Sequence, residues 1–362
     1  MKILILNKYY HPKIGGIETV VRQHARHLVK RGHSVDILVC NEEPKKKSKT
    51  YLDQDISVTK SKTLFEKFSM PVSTEFFFKL FKRAKNYDLI YLHEPFPAGT
   101  LGMLFMPNLW KILAVYYHSD IVKKGFLGAI FTMLQKLILK RSKLIMTSSP
   151  KLVEFSKVLE GGKRTKVVPI WVDEKDKKEL SEEIKHKERD YYLFIGRNSY
   201  YKGINIIAGA AKIYHSKGGP KKILLAGDDF SEHTIGSSDK IITINNHVSE
   251  AKKDALIKYA RALLFPSTEV SEAYGIVQVE AMSFGVPVIN TSIKSGVPWV
   301  SLDGISGITT PPGDESALAD AMLKLDKDET RNRLGEGAKQ RFKEKLSEGV
   351  NSRLFTSTIE ST

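Results

Sequence analysis

Residues 1–40 read MKILILNKYYHPKIGGIETVVRQHARHLVKRGHSVDILVC, and their pattern sets the fold class. Lys2–Asn7 is a short β-rich apolar run. Paired glycines, Gly15 and Gly16, then open a helical segment that reaches Arg31. Ile17, Val20, Val21, His24 and Leu28 share one face of it, with Arg22, Arg26 and Lys30 opposite. Ser34–Cys40 is a second apolar run. A strand, a helix-length crossover and another strand make the unit of a parallel sheet, because parallel neighbours can be joined only by such a crossover.

The alternation continues along the chain. Further strand-like runs are Asp88–His93, Lys111–His118, Lys143–Ser148 and Lys166–Val172, then Tyr191–Gly196, Lys222–Gly227, Ile241–Asn245, Ala262–Pro266, Val286–Asn290 and Gly307–Thr310. Two sets of about six strands suit two doubly wound α/β domains better than one very wide sheet. The expected division is 1–173 and 174–335, near the charged stretch Asp173–Arg189. A last helical segment, 336–362, is expected to pack back toward the first domain. Lys45–Lys62 reads as an exposed loop holding a short strand. No period of 20–50 residues recurs, which excludes a solenoid.

The apolar and charged fractions, 41% and 27%, belong to a globular chain rather than a disordered or fibrous one. Cys40 is the only cysteine, so no intramolecular disulfide can form and a cytoplasmic location is expected. Met1–Asn7 is too short for a signal h-region and reads as a strand. No apolar run approaches the roughly 18 residues of a membrane span. The net charge of +16 is unevenly placed: residues 1–173 hold 30 Lys and Arg against 14 Asp and Glu, while the remainder holds 27 of each. An anionic partner for the first half would explain this, as would a plain solvated lysine-rich surface.

Several motifs lie where open α/β sheets bind ligands, beyond the carboxyl ends of strands. Gly15-Gly16 is either a plain turn or a helix start whose free amides meet a phosphate. His118 and Asp120 end one strand, and His93-Glu94 ends another. Arg197 and Lys202 flank a loop between a strand and a helix, where two cations would neutralise a diphosphate. The most specific stretch is Ser271-Glu272-Ala273-Tyr274-Gly275-Ile276-Val277-Gln278-Val279-Glu280. Glu272 is expected just before a helix, facing a ligand whose phosphate meets the amides of Gly275, Ile276 and Val277. Glu280 sits on an otherwise apolar helical segment, and paired ribose hydroxyls would satisfy it. Asp228-Asp229 reads as a strand-end turn rather than a metal pair.

Glu272 to Glu280 resembles the E-x7-E element of retaining glycosyltransferases. With Gly15-Gly16-Ile17-Glu18, the loop motif Gly196-Arg197 with Lys202-Gly203, and Gly307-Ile308-Thr309-Thr310-Pro311-Pro312-Gly313-Asp314 in the expected order, nearly the whole chain is similar to glycosyltransferase family 4. The resemblance implies the GT-B fold, two Rossmann-like domains facing across a cleft. It implies a nucleotide-diphosphate sugar, GDP-mannose or a UDP-hexose, and retention of configuration. It assigns Arg197 and Lys202 to the diphosphate, Glu280 to the ribose, Glu272 to the transferred sugar, His118 to that sugar from the other domain, and Gly16 to the phosphate side. Asp120 joins His118 on the acceptor side. No metal cofactor is implied. Ile170-Trp171-Val172-Asp173 departs from the family, which often has Pro-x-Gly before the acidic residue.

Between Lys60 and Arg83, Phe65, Phe68, Phe76, Phe77, Phe78 and Phe81 alternate with Lys62, Lys67, Lys79, Lys82 and Arg83; Lys123–Lys143 is a second basic and apolar stretch. Such mixtures suit shallow docking on an anionic membrane surface, at the inner face of the membrane. This fits a polyprenyl-diphosphate-linked or glycan acceptor in O-antigen or capsule assembly. The competing expectations are a basic nucleic-acid-binding α/β protein, for which no recognised motif is present, and a transferase with a soluble sugar acceptor.

Overall fold

A computed structural model describes all residues except 14, 68–69, 122–125, 160–163, 173–189, 229, 231–240 and 246–247. The expected boundary stretch, Asp173–Arg189, lies outside the described residues. The chain divides into two compact units, residues 1–168 with 352–362, and residues 169–351.

The first unit contains β1 (Lys2–Leu6), β2 (Ser34–Cys40), β3 (Lys49–Asp53), β4 (Ile56–Ser61), β5 (Phe65–Lys67), β6 (Met70–Val72), β7 (Leu89–Glu94), β8 (Leu113–Tyr117), β9 (Leu144–Thr147) and β10 (Thr165–Val167). Eight of them form one sheet in the order β10-β9-β8-β7-β1-β2-β4-β3, and β5 pairs with β6 as a separate hairpin. Every pair in the large sheet is parallel except β3 with β4. Strand order reverses between β1 and β7. That leaves a crevice at their carboxyl ends, the place where doubly wound sheets take ligands.

The stretch 45–62 departs from expectation, for it holds two strands and a turn rather than a loop with one. The period of two was hidden because Lys60 is fully buried on β4, where Glu42 holds its Nζ at 2.7 and 2.8 Å. A lysine at a core position makes an inward strand face read as polar. The terminal segment Ser352–Thr362 packs on this unit. Phe355 stacks on His24 with centroids 4.2 Å apart, and His27 Nε2 lies 2.8 Å from Thr356 Oγ1.

The second unit contains β11 (Tyr191–Gly196), β12 (Ile223–Gly227), β13 (Ile241–Asn245), β14 (Ala260–Leu264), β15 (Val288–Thr291) and β16 (Gly307–Thr310). They form a parallel sheet in the order β13-β12-β11-β14-β15-β16. Here the reversal falls between β11 and β14. Tyr192, Phe194, Ile223, Leu225, Ala262, Leu264 and Ile289 pack with Ile204, Ile207, Leu318 and Met322 of the covering helices. Among the described residues no helix is long and apolar enough to cross a membrane.

Candidate active site

Beyond the carboxyl ends of β11 and β14, the second unit turns left-handed twice. Gly203 has φ 73°, and a Cβ there would stand 2.1 Å from the Pro266 carbonyl oxygen. Gly275 has φ 77°, and a Cβ there would stand 2.5 Å from the Phe265 ring. Any L side chain at either position meets both a strained backbone and an occupied space. Each glycine opens a helix, Ile204–Ser216 and Ile276–Ser283, and neither helix has a side-chain N-cap. Their first amides therefore have no side-chain cap to accept from them, which leaves them open to water or an anion.

Between these starts, Lys202 Nζ and Glu272 Oε2 form an ion pair with both side chains largely buried. The ammonium also lies 5.3 Å from the Phe265 ring centroid and 5.4 Å from that of Tyr201. Ser267 and Ser271 lie on the segment between β14 and the second helix. Their hydroxyls are sealed from solvent and have no hydrogen-bond partner among the described residues. Buried polar groups left in this state mark a place where a ligand or water completes the bonding. Arg197 is exposed and makes no ion pair among the described residues, and the amide of Asn198 beside it donates to Asp228 Oδ2 at 2.9 Å. Asp229 lies outside the described residues.

The second glutamate of the pair is engaged elsewhere. Glu280 Oε1 lies 2.8 Å from Lys253 Nζ, which also contacts Glu250 Oε2 at 2.8 Å. Burial alone would lower the Lys253 pKa, but Glu280 and then Glu250 outweigh it and hold the ammonium above the ordinary lysine range. Gln278 was not singled out from the sequence. It is buried, donates to the Tyr274 carbonyl at 2.7 Å and accepts from Asn290 Nδ2 at 3.0 Å, while Asn290 Oδ1 accepts from Thr309 at 2.8 Å. This network ties the start of the Ile276–Ser283 helix to β15 and β16. Asn290, a polar residue inside the run Val286–Asn290, was the available signal. Among the described residues no three His, Cys, Asp or Glu side chains cluster as metal ligands.

In the first unit, Gly16 begins the helix Gly16–Lys30 directly after the extended Gly15. His118 follows β8, 6% exposed, and its amide donates to the Glu94 carbonyl at 2.9 Å. Its Nε2 lies 2.9 Å from Nδ1 of His93. Burial lowers the His118 pKa to about 3 and holds those of His93 and His24 well below the usual imidazole range. Glu94 is sealed from solvent and accepts from the Phe96 amide at 3.0 Å, Gln135 Nε2 at 2.9 Å and the Thr100 hydroxyl. Burial nonetheless pushes its pKa up to about 7. Asp120 has both oxygens occupied. It accepts from the Tyr117 hydroxyl at 2.8 Å, the Ser156 hydroxyl, and the Lys157 amide at 3.1 Å. It tethers the loop after β8 to the turn at 156–159.

The aromatic stretch also resolves into two roles. Phe76 belongs to the core, whereas Phe65 and Phe78 are 51% and 66% exposed. Phe77, Phe81, Phe105 and Met106 line an open groove of about 570 Å³. Lys62 and Lys82 are exposed nearby in sequence. Phe68 lies outside the described residues, as does the start of the Lys123–Lys143 stretch.

Residues 14–176 match the model described as Glycosyltransferase Family 4, and residues 176–341 match that of Glycosyl transferases group 1. The chain is 32% identical over 358 residues to O-antigen chain mannosyltransferase C of Escherichia coli, covering 95% of this chain and 94% of that protein. Sucrose-phosphate synthase from Thermosynechococcus elongatus superposes with a TM-score of 0.77 at 17% identity, covering 100% of both chains. Anabaena HepE in complex with UDP-glucose superposes with a TM-score of 0.74 at 17% identity, again over 100% of both. These likenesses show the GT-B fold.

Proposed function

The chain belongs to the glycosyltransferases, with a family 4 first half and a group 1 second half, and from that premise we propose that it is a retaining hexosyltransferase of O-antigen or capsule assembly. The donor is a nucleotide-diphosphate sugar, GDP-mannose before a UDP-hexose. The acceptor is a polyprenyl-diphosphate-linked or other glycan. The observation that carries this reading is the Lys202–Glu272 pair between two uncapped helix starts, beside the unpartnered hydroxyls of Ser267 and Ser271. A cation, free amides and buried donors together suit a leaving diphosphate. The mannosyltransferase relative supports mannose, and the UDP-glucose complex of HepE supports a nucleotide sugar.

Lys202 and Arg197 meet the diphosphate, with the amides of Gly275, Ile276 and Val277. Glu272 accepts hydroxyls of the sugar, and Glu280 serves the ribose while keeping its bond to Lys253. His118 donates to the sugar, Gly16 lines the phosphate side, and Asp120 shapes the acceptor loop through its tether. The bond from the anomeric carbon to the phosphate oxygen breaks as the acceptor oxygen bonds to that carbon on the same face. The acceptor's proton passes to the departing phosphate. Cations and helix amides carry the developing charge, so no metal enters the reaction.

The test is a thermal-shift panel of GDP, UDP, dTDP, ADP and NAD, repeated in EDTA. One nucleoside diphosphate, at a concentration near a hundred times its Kd, is expected to stabilise the fold by about 3 kcal/mol and so raise Tm, with or without chelator. Stabilisation by NAD alone overturns the reading, and activity lost in EDTA and restored by magnesium overturns the metal-free part. The exposed Phe65, Phe78 and the Phe77–Phe105 groove support docking on the cytoplasmic face of an anionic membrane. Phosphatidylglycerol vesicles are expected to sediment the protein, and Phe78→Glu with Phe105→Glu to release it. Equal binding of both proteins would remove the membrane partner.

A further inference from the structure

On β7 the side chains of Tyr91 and His93 share one face, and in the parallel register Tyr116 of β8 lies beside His93 on it. His118, two residues further, continues the same face. His24, from the helix Gly16–Lys30, closes over them with Phe355. The rings are in contact throughout: His93 to Tyr91 at 4.6 Å between centroids, to His118 at 5.2 Å and to Tyr116 at 5.8 Å. His93 is 1% exposed, and nothing in the proposed reaction uses it.

The contact between His93 Nδ1 and His118 Nε2 is 2.9 Å, so one of the two nitrogens carries a proton and the other accepts it. The far nitrogen of His93, Nε2, is sealed from solvent with no partner among the described residues. If His118 were the donor, the neutral His93 would carry its own proton on that Nε2. A buried N–H with no acceptor would result. If His93 is the donor, its Nε2 is only a bare lone pair, the less costly of the two vacancies. Burial, which disfavours the charged form of both rings, removes the doubly protonated alternative.

We propose that His93 is a positioning residue that donates from Nδ1 to His118 Nε2 and so holds the proton of His118 on Nδ1. That nitrogen makes no hydrogen bond to a described residue, and it is not among the buried atoms left without a partner. His118 then meets the sugar only as a donor, toward a hydroxyl or ring oxygen. This is the tautomer that free histidine favours less, so the sequence of His118 alone would assign the opposite one. The assignment rests on the proposed function only for what His118 contacts; the tautomer itself does not.

The experiment is long-range ¹H–¹⁵N correlation on the full chain labelled at histidine, with His118 assigned from the spectrum of His118→Asn. His118 is expected to show a protonated Nδ1 and an unprotonated Nε2. In His93→Phe the pattern should shift to Nε2–H, and kcat should fall about tenfold, the worth of one hydrogen bond, at nearly unchanged Tm. His93→Asn, whose amide nitrogen can occupy the place of Nδ1, should restore both the tautomer and most of kcat. Nε2–H on His118 in the wild type overturns the proposal, as does an unchanged tautomer in His93→Phe. Full activity in His118→Asn would instead remove His118 from the proposed site while leaving the wild-type tautomer to be read independently.

Discussion

Glu272→Ala is expected to lower kcat by about a thousandfold or more while shifting Tm by no more than a few degrees. Glu272 precedes the helix Ile276–Ser283 rather than standing in it, so its loss removes no helical turn. What it removes is the carboxylate that holds Lys202 and, in the proposed reaction, the hydroxyls of the sugar. The alanine variant also frees Lys202, a side chain only 17% exposed, to seek other partners. Glu272→Gln separates the two effects, because it keeps the shape and one acceptor while removing the charge. If charge complementarity to Lys202 is what matters, the glutamine variant should be nearly as inactive as the alanine one. The decisive measurement is single-turnover transfer with saturating donor. Near-normal turnover in Glu272→Ala would withdraw the residue from the site.

The second large effect is loss of the first unit's stability in mild acid. His24, His93 and His118 are folded in as neutral rings, with pKa values lowered by burial. In the unfolded chain each takes a proton near pH 6.5, which the folded unit does not accept until far lower pH. The unfolded state therefore binds more protons as pH falls below 6.5, and stability falls with it, by about 1.4 kcal/mol per pH unit for each ring. Glu94 acts with the opposite sign. Its folded pKa of about 7 lies above its unfolded value, so between the two the folded state holds the extra proton and its contribution falls as pH rises. Three rings outweigh one carboxyl, so the net is a loss of stability as pH falls from about 6.5 toward 5. Urea midpoints measured across that range should fall steeply. His24→Phe, which keeps a ring against Phe355, should flatten the profile, and Glu94→Gln should steepen it. A midpoint constant from pH 7 to 5 would contradict the buried neutral cluster.

Much of the local structure was open to reading from residues alone. Ser34–Cys40, Tyr191–Gly196, Ile241–Asn245 and Gly307–Thr310 form strands over the bounds their apolar runs suggested. The same is true of Glu272 standing before the helix and Gly275 at its start, since a glycine before an apolar helical run has few other uses. Order along the chain was also enough to suggest the family, because four loose motifs in sequence constrain far more than any one.

Partnership was decided only by the tertiary structure, because it depends on what lies across the sheet. Lys60 is a core residue only because Glu42, on the neighbouring connection, neutralises it. The pairing of Glu280 with Lys253 joins residues 27 apart in sequence. Asp120 became a tether because Ser156 and Lys157 return to it, and His118 gained its partner because β7 and β8 place His93 beside it. Sequence spacing carries the period of a strand or helix, and so the face a residue occupies. Which charge or proton meets it on that face is set by long-range packing, and the chemistry of Lys202, Glu272 and His118 depends on it.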